Sequence, residues 1–144
     1  MDTEHKALNY PLSRDQVVQL LRQYKISPTR QRVEIACYLF RRPQHLSADR
    51  ILDGVNVVGH RVSRATVYNT MGLFTRKGLV REVLIDRERV FYDSNNSDHH
   101  HIYNVDTGEL RDLDAGQIEI QGLPALGEGA RIVGTDVIIR VSSD

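Results

Sequence analysis

Cysteine is almost missing from this chain: Cys37 is the only one in 144 residues. A lone thiol excludes an internal disulfide and suits a reducing compartment, so a cytoplasmic location is expected and Cys37 reads as a small apolar side chain. Long apolar runs are missing as well. Nothing approaches the roughly 20 residues of a membrane span, and no basic-then-apolar signal segment opens the chain, so no membrane partner is expected. There is no His-Glu-x-x-His pattern and no nucleophile–base arrangement. A metal hydrolase using Asp112 or Glu119 as base is therefore disfavoured, and the chain does not read as an enzyme. Net charge is also absent, with 19 Lys and Arg against 19 Asp and Glu. That balance hides a division: residues 1–96 carry 16 basic against 10 acidic side chains, and residues 97–144 carry 3 against 9. A basic half favours a phosphate backbone, and an acidic half favours cations.

Histidine is concentrated where the sign changes. Residues 97–101 read Ser97-Asp98-His99-His100-His101, holding three of the six histidines. Imidazole is a common transition-metal ligand, and alternate residues of a strand face opposite sides. His99 and His101 would then share one face, with Asp98 and His100 on the other. A solvated His-rich loop is the plain alternative.

The amino-terminal half is punctuated into helices. Ser13 and Gln16 form a capping box ahead of Val17, Val18, Leu20, Leu21 and Tyr24. Ser27-Pro28 predicts an N-cap and first-turn proline for a helix through Val33, Ala36, Cys37, Leu39 and Phe40, ending near Arg42-Pro43. A shorter helix follows Ser47. A fourth begins after Ser63, runs through Ala65, Val67, Tyr68, Met71 and Phe74, and stops at Gly78. Leu79–Leu84 and Arg89–Tyr92 then flank a β-hairpin.

Helices followed by a hairpin form a winged helix, in which one helix enters the major groove. The fourth helix is the candidate reader. Its expected exposed positions are Ser63, Arg64, Thr66, Tyr68, Asn69 and Thr70, a mixture able to bond phosphates and base edges. Arg87 and Arg89 in the hairpin, and Lys25, Arg30 and Arg32 around the second helix, would add phosphate contacts.

Three motifs carry a family resemblance: Pro28-Thr29-Arg30-Gln31-Arg32, Arg64-Ala65-Thr66-Val67-Tyr68-Asn69-Thr70, and Asp98-His99-His100-His101. In this order, with His45-Leu46-Ser47-Ala48 between the first two, they resemble the ferric uptake regulator (Fur) family over roughly residues 12–141. Phe91-Tyr92-Asp93-Ser94-Asn95 leading into the histidines is most similar to its iron response regulator (Irr) branch. The resemblance implies an α+β chain: a winged-helix DNA-binding domain over residues 1–93, then a small α/β dimerisation domain over residues 94–144. It also implies a metal-responsive homodimer that represses transcription on palindromic operator DNA, with Tyr68 reading the major groove beside Asn69 and Arg64, and with Lys25 in the minor groove. A metal-buffering or interaction protein that never touches DNA is the alternative.

In the second domain His101–Val105 and Glu109–Leu113 alternate across the turn Asp106-Thr107-Gly108, and Arg131–Val141 holds the strand run Val137-Ile138-Ile139. Gly122, Pro124, Gly127 and Gly129 interrupt the helix expected between these strands, leaving a short one near Ala115–Gln121.

Many family members hold a structural zinc with two Cys-x-x-Cys pairs. This chain has Asn104 and Thr107 at the first pair and too few sulfurs, so a four-cysteine zinc is excluded. The resemblance implies a regulatory metal on His45, His99, His101 and Asp112. Tyr92 stands at the usual carboxylate position after the wing, and neighbouring Asp93 would serve only with a shift of one residue. Such an N/O set suits Fe²⁺, Mn²⁺ or Zn²⁺ without choosing among them. A second set would gather Asp98, His100, Glu119 and Asp136. The iron response branch adds an alternative, haem ligated through His99, His100 and His101; no Cys-Pro haem motif is present.

Overall fold

The computed structural model describes residues 8–57, 59, 61–95 and 97–143. The chain divides after Ser97 into two compact units.

In the first unit, helix α1 (Arg14–Gln23) starts with the capping box: Ser13 Oγ accepts from the Gln16 N–H at 3.2 Å, and Gln16 Oε1 accepts from the Ser13 N–H at 2.8 Å. Val17, Leu20 and Leu21 face the core. The chain leaves α1 through Lys25, whose φ of 59° is left-handed and unusual for a residue with a side chain. Helix α2 (Arg30–Leu39) has Thr29 as its N-cap, so the start expected at Ser27-Pro28 lies two residues too early. Thr29 N–H and the Arg32 guanidinium both donate to the Ser27 carbonyl, at 2.9 and 3.1 Å, closing a turn before the helix begins. α2 also stops short of Arg42-Pro43. The Gln44 side-chain amide donates to the carbonyls of Tyr38 and Leu39, both at 3.0 Å, satisfying acceptors that another helical turn would have used.

Strand β1 (His45–Leu46) leads into helix α3 (Ala48–Val57), where Ser47 Oγ accepts from the Arg50 N–H. Helix α4 (Arg64–Arg76) is capped by Ser63 Oγ on the Thr66 N–H at 3.1 Å. It ends in a Schellman motif: Leu79 N–H reaches the Phe74 carbonyl and Gly78 N–H the Thr75 carbonyl, with Gly78 at φ 78°. Strands β2 (Arg81–Leu84) and β3 (Val90–Asp93) form the expected antiparallel hairpin, and β1 adds to its far side in the order β1-β3-β2. Phe40, Phe74, Leu21, Ile35, Leu39, Ile51, Met71 and Leu79 are fully buried between helices and sheet.

Ser94, which follows β3, is bonded into the first unit. Ser94 Oγ donates to the Arg42 carbonyl and accepts from the Gln44 N–H, both at 3.0 Å, and the Tyr10 hydroxyl donates to the Ser94 carbonyl at 2.6 Å.

The second unit is a three-stranded sheet. Strands β4 (His99–Asn104) and β5 (Leu110–Asp114) pair antiparallel, and β6 (Ile138–Val141) lies parallel to β4 on its other side. Asn104 Oδ1 accepts from the N–H groups of Asp106 and Thr107, and Gly108 takes φ 74°. The short helix expected near Ala115–Gln121 is reduced to one 3-10 turn, Ala115–Gln117. Asp114 caps the Gly116 N–H, and Ile118 is already extended. Residues 118–137 contain no helix or strand.

Candidate metal centre and nucleic-acid interface

Each unit presents its own set of metal donors. In the first, the pairing of β1 with β3 sets His45 opposite Asp93. His45 Nε2 lies 3.2 Å from Asp93 Oδ2, and the carboxylate is fully buried. Asp93 Oδ1 accepts from the Asn95 N–H at 2.8 Å, so one oxygen orients the group while the other faces the imidazole. Tyr92, the residue at the family's carboxylate position, is opposite Leu46 on one side and Glu82 on the other. It is Asp93, with the facing that strand alternation denies to Tyr92, that meets His45.

In the second unit the β4–β5 register sets His101 opposite Asp112. His99 and His101 lie on the same face as the alternation of β4 requires, with ring centroids 4.6 Å apart in an edge-to-face arrangement. His99 Nε2 is 3.3 Å and His101 Nε2 3.7 Å from one oxygen, Asp112 Oδ1. Both rings are buried, at 5% and 2% exposure, whereas Asp112 reaches solvent. Two imidazole nitrogens and a carboxylate oxygen converging at this spacing provide the N/O chemistry of a first-row divalent ion. The donor set therefore fits the ion that the sequence led us to expect.

The other expected set is not drawn together among the described residues. His100 is buried, and its Nδ1 accepts from the Val137 N–H at 3.2 Å. Asp98 is exposed. Glu119 is also exposed, lies beyond the 3-10 turn rather than on a helix, and accepts from Gln121 Nε2. Asp136 precedes β6 and is exposed.

The candidate nucleic-acid face lies on the first unit. Ser63, Arg64, Tyr68 and Asn69 are exposed along α4, and Thr66 is half-buried with its hydroxyl bonded to that of Ser63. Thr70, expected to be exposed, is instead buried. It falls in the stripe with Val67, Met71 and Phe74 that packs into the core, where helical spacing carries it inward. The hairpin turn exposes Arg87 and Arg89, with Asp86 capping the N–H groups of Glu88 and Arg89 and pairing with the Arg89 side chain at 3.2 Å. Lys25 and Arg30 are exposed, and Arg32 is half-buried against the Ser27 carbonyl. Sequence reasoning overlooked Arg22, which lines an open cleft with Lys25, Ile26, Ser27 and Pro28. Its place in the last turn of α1, three residues before Lys25, was the available signal. The Arg64 guanidinium pairs with Asp49 on α3, and the hydrogen bond to Asp49 is the main cause of its raised pKa. Burial, then the Glu82 carboxylate and Tyr68, raise that of Tyr92.

A winged helix with exposed basic side chains precedes a small sheet carrying paired histidines, and the sequence profile of the ferric uptake regulator family matches residues 13–139. The chain belongs to the ferric uptake regulator family. A peroxide-responsive repressor, PerR, of Staphylococcus aureus is 30% identical over 124 residues, covering 85% of this chain and 82% of that protein. Among solved structures, the ferric uptake regulator of Pseudomonas aeruginosa with manganese matches at a TM-score of 0.70 and 26% identity, over 87% of this chain and 96% of that one. The Helicobacter pylori Fur, described as having three functional metal-binding sites, shares the fold at a TM-score of 0.69 and 14% identity, over 94% and 95% of the two chains. This Fur-family chain is a metal-responsive transcriptional regulator of α+β architecture, and membership favours DNA binding over the metal-buffering alternative. Among its described residues no helix is long and apolar enough to cross a membrane.

Proposed function

We propose that the chain is a cytoplasmic, homodimeric repressor whose grip on a palindromic operator depends on one divalent ion, Fe²⁺, Mn²⁺ or Zn²⁺. The ion would be held by His45 and Asp93 of the first unit together with His99, His101 and Asp112 of the second. The convergence of His99 Nε2 and His101 Nε2 on Asp112 Oδ1 carries this reading. When bound, the ion supplies coordination bonds common to both donor sets. His45 and Asp93 would pass that restraint into β1 and β3, and so into the sheet that meets α3. Restraining each winged helix fixes the separation of the two reading helices in a dimer, and the conformer whose spacing fits the operator gains population.

On the DNA, Tyr68, Asn69 and Arg64 of α4 read base edges, with Ser63 and Thr66 at the start of that helix. Lys25, Arg30, Arg32, Arg87 and Arg89 hold phosphates or the minor groove. The dimer reading is supported by the make-up of the second unit. Among its described residues Tyr103 is the one hydrophobic side chain counted in the core, while Leu123, Leu126, Ile132 and Val133 are exposed. A sheet with so little of its own core needs a partner surface. Asp98, His100, Glu119 and Asp136 form a second, oxygen-rich candidate set supported by donor chemistry alone. Assignment to the iron response branch rests on the run from Phe91 to Asn95, the histidines that follow and the lost helix; it brings haem on His99, His100 and His101 as the rival signal.

The test is fluorescence anisotropy on chelated protein, with an operator recovered by selection from random duplexes and with Mn²⁺, Fe²⁺, Zn²⁺ and haem added in turn. Tightening by one divalent ion supports the proposal. Ion-independent binding that haem abolishes would overturn the metal switch in favour of the haem reading, and failure to select any duplex would overturn DNA recognition.

A further inference from the structure

Arg64 occupies an electrostatically poor position. It opens α4, where the positive end of the helix dipole disfavours a cation, and the first turn of α4 contains no acidic residue. Its compensation comes from another helix: the guanidinium pairs with Asp49 in the first turn of α3. Both members of the Arg64–Asp49 pair are about two-thirds exposed, at 63% and 64% of their side chains. An ion pair so open to water and salt adds little to stability.

Its geometry suits recognition. An arginine reads guanine through two parallel N–H groups directed at O6 and N7, which requires the guanidinium plane to be fixed. A free arginine loses side-chain entropy on adopting that plane. Asp49 engages one donor of the five-donor fork, Nη1, and the rest of the arginine side chain is largely exposed.

We propose that Asp49 is a positioning residue that holds Arg64 in the plane required to read a guanine in each operator half-site, so that α3 contributes to sequence specificity without touching a base. This rests on the reading of α4 as the DNA-recognition helix.

The test uses full-length, metal-loaded protein. Wild type is first taken through selection from random duplexes, and the selected operator is then substituted at each guanine in turn. Failure of wild type to select any sequence would remove the DNA-reading function itself. Given a selected operator, one guanine per half-site should be preferred by about 10-fold or more over the other bases in wild type. Asp49→Asn, and Asp49→Ser as a second variant, should reduce that preference to within about 2-fold while preference at the remaining positions and the circular dichroism spectrum stay as in wild type. Asp49→Glu should restore it, and Arg64→Lys, which keeps the charge but loses the fork, should reproduce the defect. A uniform change in affinity for every duplex, with guanine preference intact in both Asp49 variants, would make Asp49 an ordinary surface acid and overturn the proposal.

Discussion

Asp93 faces His45 across the β1–β3 pair, its buried Oδ2 3.2 Å from the imidazole Nε2. Tyr92 beside it is carried to the other face of β3. Substituting the two should therefore give opposite results. Asp93→Asn should lower the affinity for Mn²⁺ by on the order of 10- to 100-fold or more, since even residues that only orient ligands cost that much. Tyr92→Phe should leave it within about 2-fold, well inside that range. Metal titration followed by competition with a chelator distinguishes them, and equal loss in both would remove Asp93 from the ligand set.

The two imidazoles that share Asp112 Oδ1 should act as a unit. His99→Ala and His101→Ala are each expected to abolish the response of operator binding to metal, and the double variant should do little more, because members of one site are not additive. Retention of dimers by sedimentation establishes that the loss is local. A full metal response in either single variant would move the switch elsewhere.

On α4, Tyr68 is exposed and Thr70 is not. Tyr68→Ala should reduce discrimination between operator and random duplex by roughly 10-fold, the scale of one base contact, with thermal stability kept. Lys25→Ala, Arg30→Ala or Arg87→Ala should instead weaken binding to all duplexes and lower the slope of log affinity against log salt by about one each. A salt slope unchanged in all three would remove these side chains from the phosphate contacts.

Val133 is 88% exposed on a unit that buries little apolar surface of its own. Val133→Asp together with Leu123→Asp should shift the monomer–dimer equilibrium by at least about 10-fold toward monomer, as expected when charge enters an apolar interface core. Sedimentation velocity over a concentration series reads this directly; wild-type dimerisation in the variant would place the interface on another surface.

Tyr10 ties the chain ahead of α1 to the Ser94 carbonyl, and burial, followed by the nearby Asp93 charge, raises its pKa from 10.0 to about 12. The neutral phenol is the form favoured by folding. Its contribution is complete below the unfolded value near 10 and is lost as pH rises through about 12. Tyr10→Phe should cost about 1 kcal/mol at neutral pH for the lost bond, and it should flatten the decline of stability between pH 10 and 12. A decline as steep as wild type in chemical denaturation across that window would assign the alkaline sensitivity to other groups.

Local signals in the chain carry much of the architecture. The Ser13–Gln16 capping box and the Ser63 cap set two helix starts, Gly78 set a helix end, and the alternation around Asp106-Thr107-Gly108 set a hairpin. Each is determined by groups a few residues apart. The start of α2 differs from the expected one because Ser27-Pro28 also suits a turn, which the Thr29 N–H and the Arg32 side chain close on the Ser27 carbonyl. The helix expected near Glu119 failed because glycine and proline beyond Ala115 leave too few residues to offset helix nucleation.

The sequence by itself determined that no four-cysteine zinc forms, that His99 and His101 share a strand face, and that basic and acidic side chains separate along the chain, because counting and strand periodicity need no distant partner. Only the tertiary structure decided that Asp93 rather than Tyr92 meets His45, that Asp112 is shared by two imidazoles, that Asp49 grips Arg64, and that Thr70 turns inward. These relationships depend on strand register and helix packing between residues far apart in the chain. Register is set by the core as a whole, and a shift of one residue would carry every side chain of a strand to its opposite face.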